Sequence, residues 1–289
     1  MKKVGFIGTG LMGFPMAKNI LKSGYKLKAF NRSSSKAKAL EEFGAEITIT
    51  LSELVKDTEI IITMLTDDEA IDEVMGSLNF LDYLKPGSIV IDMSSIKPIT
   101  AKKHEKNLSL RKIKYLDAPV SGGTIGAENG SLAIMIGGEK EVFKEVEDLL
   151  KTMGNPTLVG PVGSGQVSKL ANQIIVGLTI GAVAEAIILC EKAGADPNKL
   201  ISALSGGWAD SKVLQTHGKR MIDKDFSPKG KTSTHLKDMN NILECANTFN
   251  THLPISNLVK EMYKNLVENG HGNKDHSSLY KEIERMNNK

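Results

Sequence analysis

The chain has 289 residues, 40% of them apolar and 25% charged, with a net charge of +3 and two cysteines. That length exceeds one ordinary core and suits two domains of average soluble composition. The small charge, with lysines scattered among acids, gives no basic face for nucleic acid or an anionic membrane, and Cys190 and Cys245 form neither a disulfide framework nor a metal spacing.

A reducing, cytoplasmic setting is therefore expected. The first strand pattern begins almost at Met1, which is read as leaving no room for a signal or transit peptide. Lys3 to Gly8 is an apolar run of strand length. It leads into Gly8-Thr9-Gly10-Leu11-Met12-Gly13, after which Met12, Met16, Ile20 and Leu21 recur at helical spacing. Tyr25 to Phe30 forms a second apolar run. Strand, glycine turn, helix and strand make the βαβ unit that holds a dinucleotide. Gly8 permits the tight turn, Gly10 lets backbone N–H groups approach a pyrophosphate, and Gly13 lets helix and strand pack closely. The pyrophosphate then meets the open N–H groups of the helix. Beyond the second strand an NAD site usually places a carboxylate for the ribose 2′-hydroxyl. Here Asn31-Arg32-Ser33 stands instead. A guanidinium fork and a hydroxyl suit a 2′-phosphate, so NADP(H) is preferred over NAD(H).

The alternation continues. Ser34 to Phe43 reads as helix, Glu46 to Thr50 as a short strand, and Ser52 as the cap of a helix from Glu53. Glu59 to Met64 is a buried strand, Ala70 to Met75 a helix and Lys85-Pro86-Gly87 a turn. Ser88 to Met93 is a strand ending in Ser94-Ser95. Pro98 opens a helix to Asn107, and Lys112 to Leu116 runs into Asp117-Ala118-Pro119-Val120-Ser121-Gly122-Gly123. Such repetition builds a parallel sheet covered on both faces, with ligands outside the carboxyl ends of its strands. The loops at 8–13, 31–34, 64–68 (with Met64 and Leu65), 94–96 and 119–124 thus belong to one rim. From Gly165 to Gly194 a single long helical pattern begins, and helices follow to the end: Pro197–Leu204, Lys212–Met221, Thr234–Phe249, Pro254–Asn269 and Asp275–Met286. Ile174 to Leu189 is apolar but carries Glu185, and reads as a buried helix, not a membrane span. The α/β domain is placed at 1–162 and the all-α domain at 163–289.

Hydride exchange with a carbonyl needs a proton donor near the oxygen and a grip on the rest of the substrate. Lys169 and Asn172 share a helix face among apolar neighbours, where a lysine's pKa falls toward the working range. On spacing alone, a solvated helix lysine is the better reading. Ser121-Gly122-Gly123 could converge N–H groups and a hydroxyl on a substrate carboxylate. Lys237-Asp238 is a charged pair without local logic. His271 and His276, in a Gly/Asn-rich turn, read as polar surface, so no metal is expected.

Together Gly8 to Met16, Asp117 to Gly123, Gly163-Ser164-Gly165 with Lys169 and Asn172, and Lys237-Asp238 resemble, in register over nearly the whole chain, the β-hydroxyacid dehydrogenase family, which includes 3-hydroxyisobutyrate dehydrogenase and the glyoxylate and succinic semialdehyde reductases. The resemblance implies a Rossmann-like domain, a long interdomain helix, an all-helical domain and a homodimer or homotetramer. It implies Lys169 as catalytic acid, Asn172 as orienting partner, and Ser121, Gly122 and Gly123 as the carboxylate loop. Ser95 would contact coenzyme and substrate, and Lys237 and Asp238 would close the cleft, Lys237 toward substrate and Asp238 toward coenzyme. Gly8, Gly10, Leu11, Met12, Gly13, Asn31, Arg32, Ser33, Met64 and Leu65 complete the coenzyme set. The implied activity is NADPH-dependent reduction of a small carboxylate-bearing aldehyde or 2-oxo acid, or, as the alternative, NAD(P)-dependent oxidation of 3-hydroxyisobutyrate. One departure stands out: the semialdehyde reductases carry a pocket-lining phenylalanine seven residues before the Lys-Asp pair, and here that position is Gly230, between Lys229 and Lys231. A more polar or anionic substrate follows.

Overall fold

The computed structural model describes residues 2–288. Its contacts divide the chain into two units, one ending at Lys169 and one starting at Leu170.

In the first unit, β1 (Val4–Ile7), β2 (Leu27–Phe30), β3 (Glu46–Ile47), β4 (Ile60–Thr63), β5 (Ile89–Asp92) and β6 (Lys114–Asp117) are parallel, in the order β3-β2-β1-β4-β5-β6. This is the doubly wound order, reversing between β1 and β4. Beyond β6, β7 (Val120–Ser121) and β8 (Leu132–Gly137) pair antiparallel, β8 also runs antiparallel to β6, and β9 (Gly154–Gly160) lies parallel to β8. The expected parallel sheet therefore ends in a mixed edge. Alternate residues of each strand face opposite sides. Val4, Phe6, Ile60, Ile62, Ile89 and Ile91 enter a core closed by α1 (Gly13–Lys22) and α8 (Lys140–Lys151). Ile7, Ile61, Val90 and Tyr115 enter the other, under α3 (Leu51–Val55), α4 (Asp68–Gly76), α5 (Leu78–Leu81) and α6 (Pro98–Ser109). The unit also holds α2 (Ser34–Lys38) and α7 (Gly123–Glu128).

Three local readings change. The Ser34–Phe43 segment is α2 followed by a single 3-10 turn, Glu41–Phe43, which Gly44 ends at φ 91°. The strand expected to reach Thr50 stops at Ile47. Thr50 turns away to cap α3 instead, its hydroxyl accepting from the Glu53 N–H at 3.2 Å, so the cap lies two residues before Ser52.

α9 (Ser164–Lys192) is one unbroken helix of 29 residues. It is long and apolar enough to cross a membrane. The second unit adds α10 (Pro197–Leu204), α11 (Lys219–Ile222), α12 (Thr232–Thr248), α13 (Pro254–Leu266) and α14 (Leu279–Asn287). Its core joins Ile180, Val183 and Ile187 of α9 to Met239, Tyr263, Leu279 and Tyr280. Wider π turns at Leu214–Gly218 and Val267–His271 interrupt the expected helices. Cys190 is buried and Cys245 half-buried, and no disulfide joins them. Trp208 is fully exposed, neither packed in its loop nor walled into a pocket.

His276 corrects the surface reading. Its ring meets His217 edge-on at 4.6 Å between centroids and His235 at 5.2 Å, beside Asp275. The fold buries these rings by latching two loops. Asp275 Oδ2 accepts from the Lys229 and Gly230 N–H groups at 3.0 and 2.9 Å, and the His276 N–H donates to the Gly230 carbonyl at 2.8 Å. Burial, reinforced by the neighbouring imidazoles, pushes His276 down to about 3. His271 stays partly exposed.

Candidate active site

The residues expected to meet coenzyme follow the carboxyl ends of the strands in the first unit, and each glycine of the turn shows its own constraint. Gly8 sits at φ 98°, where a side chain would be strained and would strike the Met64 carbonyl. A Cβ on Gly13 would overlap the Gly8 carbonyl oxygen, so α1 approaches β1 only because position 13 is bare. Gly10 has open space beside it, as a backbone that receives a ligand requires. Leu11 is exposed and Met12 half-buried at the helix entry. Asn31 serves the turn from the end of β2: its Oδ1 accepts from the Thr9 N–H at 3.0 Å, and its Nδ2 donates to the Ser33 carbonyl at 3.0 Å. Asn31 thus shapes the loop, and Arg32 and Ser33 follow it, both exposed. The Ser33 hydroxyl makes no capping bond to α2. Met64 and Leu65 are half-buried after β4, and the Leu65 N–H donates to the Ser94 hydroxyl at 2.9 Å. A cleft of about 550 Å³ runs from this glycine turn along Lys18 and Lys22 to Lys36.

Two buried carboxylates organise the same rim. Asp92 and Asp117 are register partners at the ends of β5 and β6, and both are wholly buried. Burial pushes each up to about 6, despite hydrogen bonds to Asp92 from Ser94 and Thr63 and to Asp117 from Gly163 and Gln166. Asp117 accepts from the Gly163 N–H at 2.7 Å and the Gln166 N–H at 2.8 Å, and so caps the first turn of α9. The Gln166 side chain donates to the Ser94 carbonyl at 2.9 Å and accepts from the Ile96 N–H at 3.1 Å, bracketing Ser95. Lys169 follows one turn later, half-buried. Gly122 and Gly123 have φ of 139° and 62°, a pair of conformations that only glycines adopt readily, and both are exposed next to half-buried Ser121.

In the second unit Asn172, Lys237 and Asp238 come together through a residue absent from the sequence reading. Asn172 donates to Gln173 Oε1 at 2.8 Å, Gln173 donates to Asp238 Oδ2 at 2.6 Å, and Lys237 lies 3.6 Å from Asp238 Oδ1. The buried Asp238 carboxylate holds the amide row, and Lys237 balances its charge. Gln173, Gln166, Asp92 and Asp117 lacked a motif signal of their own; only Asp117 lay inside one, ahead of the glycines.

His217, Asp275 and His276 carry donor atoms within 4.8 Å of one another. Asp275 is already committed, however. Its Oδ1 accepts from the Ser277 N–H and hydroxyl, its Oδ2 from two N–H groups, and Arg220 lies 3.6 Å away. A cation there would meet a guanidinium and a carboxylate with its lone pairs in use, so the group works as a latch.

Residues 3–168 match the family described as the NAD binding domain of 6-phosphogluconate dehydrogenase, and residues 163–283 match the family described as NAD-binding of NADP-dependent 3-hydroxyisobutyrate dehydrogenase. The chain is 41% identical over 288 residues to 2-hydroxy-3-oxopropionate reductase of Escherichia coli, covering 99% of this chain and 98% of that protein. It is 33% identical to the probable 3-hydroxyisobutyrate dehydrogenase-like 1, mitochondrial, of Arabidopsis thaliana, covering 99% and 86%. Among solved structures, the Mycobacterium tuberculosis 3-hydroxyisobutyrate dehydrogenase with L-serine superposes with a TM-score of 0.89 at 25% identity, covering 98% of this chain and 99% of that one.

Proposed function

The chain belongs to the β-hydroxyacid dehydrogenase family, and from that premise we propose that it is an NADPH-dependent reductase of a short aldehyde or 2-oxo acid that carries a carboxylate. It is an NAD(P)-dependent oxidoreductase acting on a hydroxyacid; the substrate, the direction and the coenzyme preference are the proposal. The observation that carries it is the division of labour at the β2 rim, where Asn31 shapes the turn and Arg32, with no carboxylate beside it in sequence, faces outward. The similarity to 2-hydroxy-3-oxopropionate reductase supports a polar, hydroxylated three-carbon substrate, and Gly230 between Lys229 and Lys231 supports it further.

In this reading the coenzyme supplies the hydride to the carbonyl carbon. Lys169 gives a proton to the carbonyl oxygen, Asn172 orients the substrate, and Ser121 with the Gly122 and Gly123 N–H groups holds its carboxylate. Lys237 and Asp238 close on substrate and coenzyme, and Ser95 touches both. Arg32 and Ser33 take the 2′-phosphate, while Gly8 to Gly13, Met64 and Leu65 take the pyrophosphate and nicotinamide side. The boundary at residue 162 and a cytoplasmic setting complete the reading. A homodimer or homotetramer belongs to the same reading, supported by the exposed Val167, Ile175 and Leu189 of α9.

The test is NADPH and NADH oxidation with 2-hydroxy-3-oxopropionate, glyoxylate and succinic semialdehyde, in the wild type and Lys169→Ala. NADPH-linked turnover with at least one of them is expected, falling roughly 10²- to 10⁴-fold in the variant with NADPH affinity unchanged. Near-normal turnover in Lys169→Ala removes the lysine from the mechanism. Turnover confined to oxidation of 3-hydroxyisobutyrate establishes the alternative, which the likeness to the Arabidopsis and Mycobacterium proteins favours.

A further inference from the structure

Gln166 is an uncharged polar side chain with no exposed surface, three residues before Lys169. Burying an amide is costly unless both its ends are bonded, and here both are. Both bonds go to the backbone on either side of Ser95: the Ser94 carbonyl accepts, and the Ile96 N–H donates. The backbone of the same residue is gripped by Asp117, which also holds the Gly163 N–H. The surroundings leave room for this carboxylate. A Cβ on Gly165 would lie 2.8 Å from its Oδ2, and one on Gly137 would overlap its Oδ1. The first turn of α9 is therefore tied at two points, to the loop after β5 through a side chain and to the end of β6 through a cap.

We propose that Gln166, backed by Asp117, is a positioning residue that locks the Ser94–Ile96 loop and the first turn of α9 into one register. Ser95 and Lys169 are then presented to the bound coenzyme as a single rigid pair. The inference rests on the reading of Lys169 as the proton donor. The first N–H groups of a helix have no partner within it, so groups outside the helix must hold them. A slip of about 1 Å in a reacting group is enough to cost roughly 10²-fold in rate.

The experiment compares Gln166→Glu and Gln166→Leu with the wild type, each also on the Lys169→Ala background. Gln166→Glu keeps the acceptor for Ile96, but as a carboxylate it repels the Ser94 carbonyl. Protonated, it donates again. At pH 8 its kcat is expected to fall roughly 10- to 100-fold, with NADPH affinity within about threefold because the glycine turn is untouched. Its kcat ratio to wild type should recover as the pH falls toward 6. Gln166→Leu should lose as much with no recovery, and neither substitution should matter further once Lys169 is alanine. Near wild-type kcat in the near-isosteric Gln166→Glu, a loss that ignores pH and follows melting temperature, or a full additional loss on the Lys169→Ala background overturns the inference. An active Lys169→Ala enzyme overturns instead the reading beneath it.

Discussion

Arg32 extends into solvent at the end of β2, its side chain 89% exposed and 3.9 Å from Glu73 at the nearest ion pair. An exposed pair of this kind contributes little, so the guanidinium is available at almost no cost. Arg32→Ala should raise the KM for NADPH by about tenfold or more while leaving that for NADH within about twofold, since a charge-assisted fork to phosphate is lost in one case only. Equal changes for both coenzymes would show that Arg32 touches no 2′-phosphate. The glycines of the turn were legible in the sequence because their constraints are local: a positive φ or a bare close approach shows within a few residues. Gln166, Gln173 and Asp92 were not, because each has at least one partner 29 to 72 residues away. A glutamine inside an apolar helix carries no mark of the carbonyl or carboxylate it will find.

At the scale of elements, helix and strand types read well because their periods differ, while their ends were set by competition the pattern does not record. Thr50 could extend a strand or cap a helix, and the unpaired N–H groups of α3 decided it. The loop carrying His276 went wrong for a related reason. Its Gly/Asn content spoke for solvent, and the Asp275 bonds that turn it inward join it to residues 45 and 46 positions earlier. This latch has a pH signature. His276 is held down to about 3 and His217 is also lowered, mainly by burial, among His235, Tyr263, Asp275 and Arg220. Above about pH 6.5 these imidazoles are neutral folded or unfolded and contribute nothing to the pH dependence. Below it the unfolded chain takes up protons that the folded one refuses. The histidine contribution to stability therefore falls as the pH drops below about 6.5, by about 1.4 kcal/mol per pH unit for each refused proton. Asp92 and Asp117, held up to about 6 in the fold, contribute in the opposite sense as the pH falls below about 6. Urea titrations at pH 7 and 5 should show a change in stability that is less unfavourable in His276→Asn than in the wild type, since the carboxylates act equally in both. Equal changes in both would clear His276 of the effect.

For the whole molecule, the informative surface is on α9. Val167, Ala171, Ile175, Ala182, Ala186 and Leu189 follow one another at three to seven residues along a single stripe and remain exposed, Ile175 at 66% and Leu189 at 72%. Exposed apolar side chains in such a run are the place to test for self-association, and the small alanines among them would let a second helix come close. Ile175→Asp should weaken self-association by about 2 kcal/mol or more, giving a smaller species by light scattering at micromolar concentration. An unchanged mass would move the interface elsewhere. The lone tryptophan in the chain bears on the same question. Because Trp208 lies bare in water, its emission should sit at the red end of the indole range. Any copy or ligand that settles over residues 205–208 will draw that light toward the blue, so the protein carries its own optical gauge of what covers that loop.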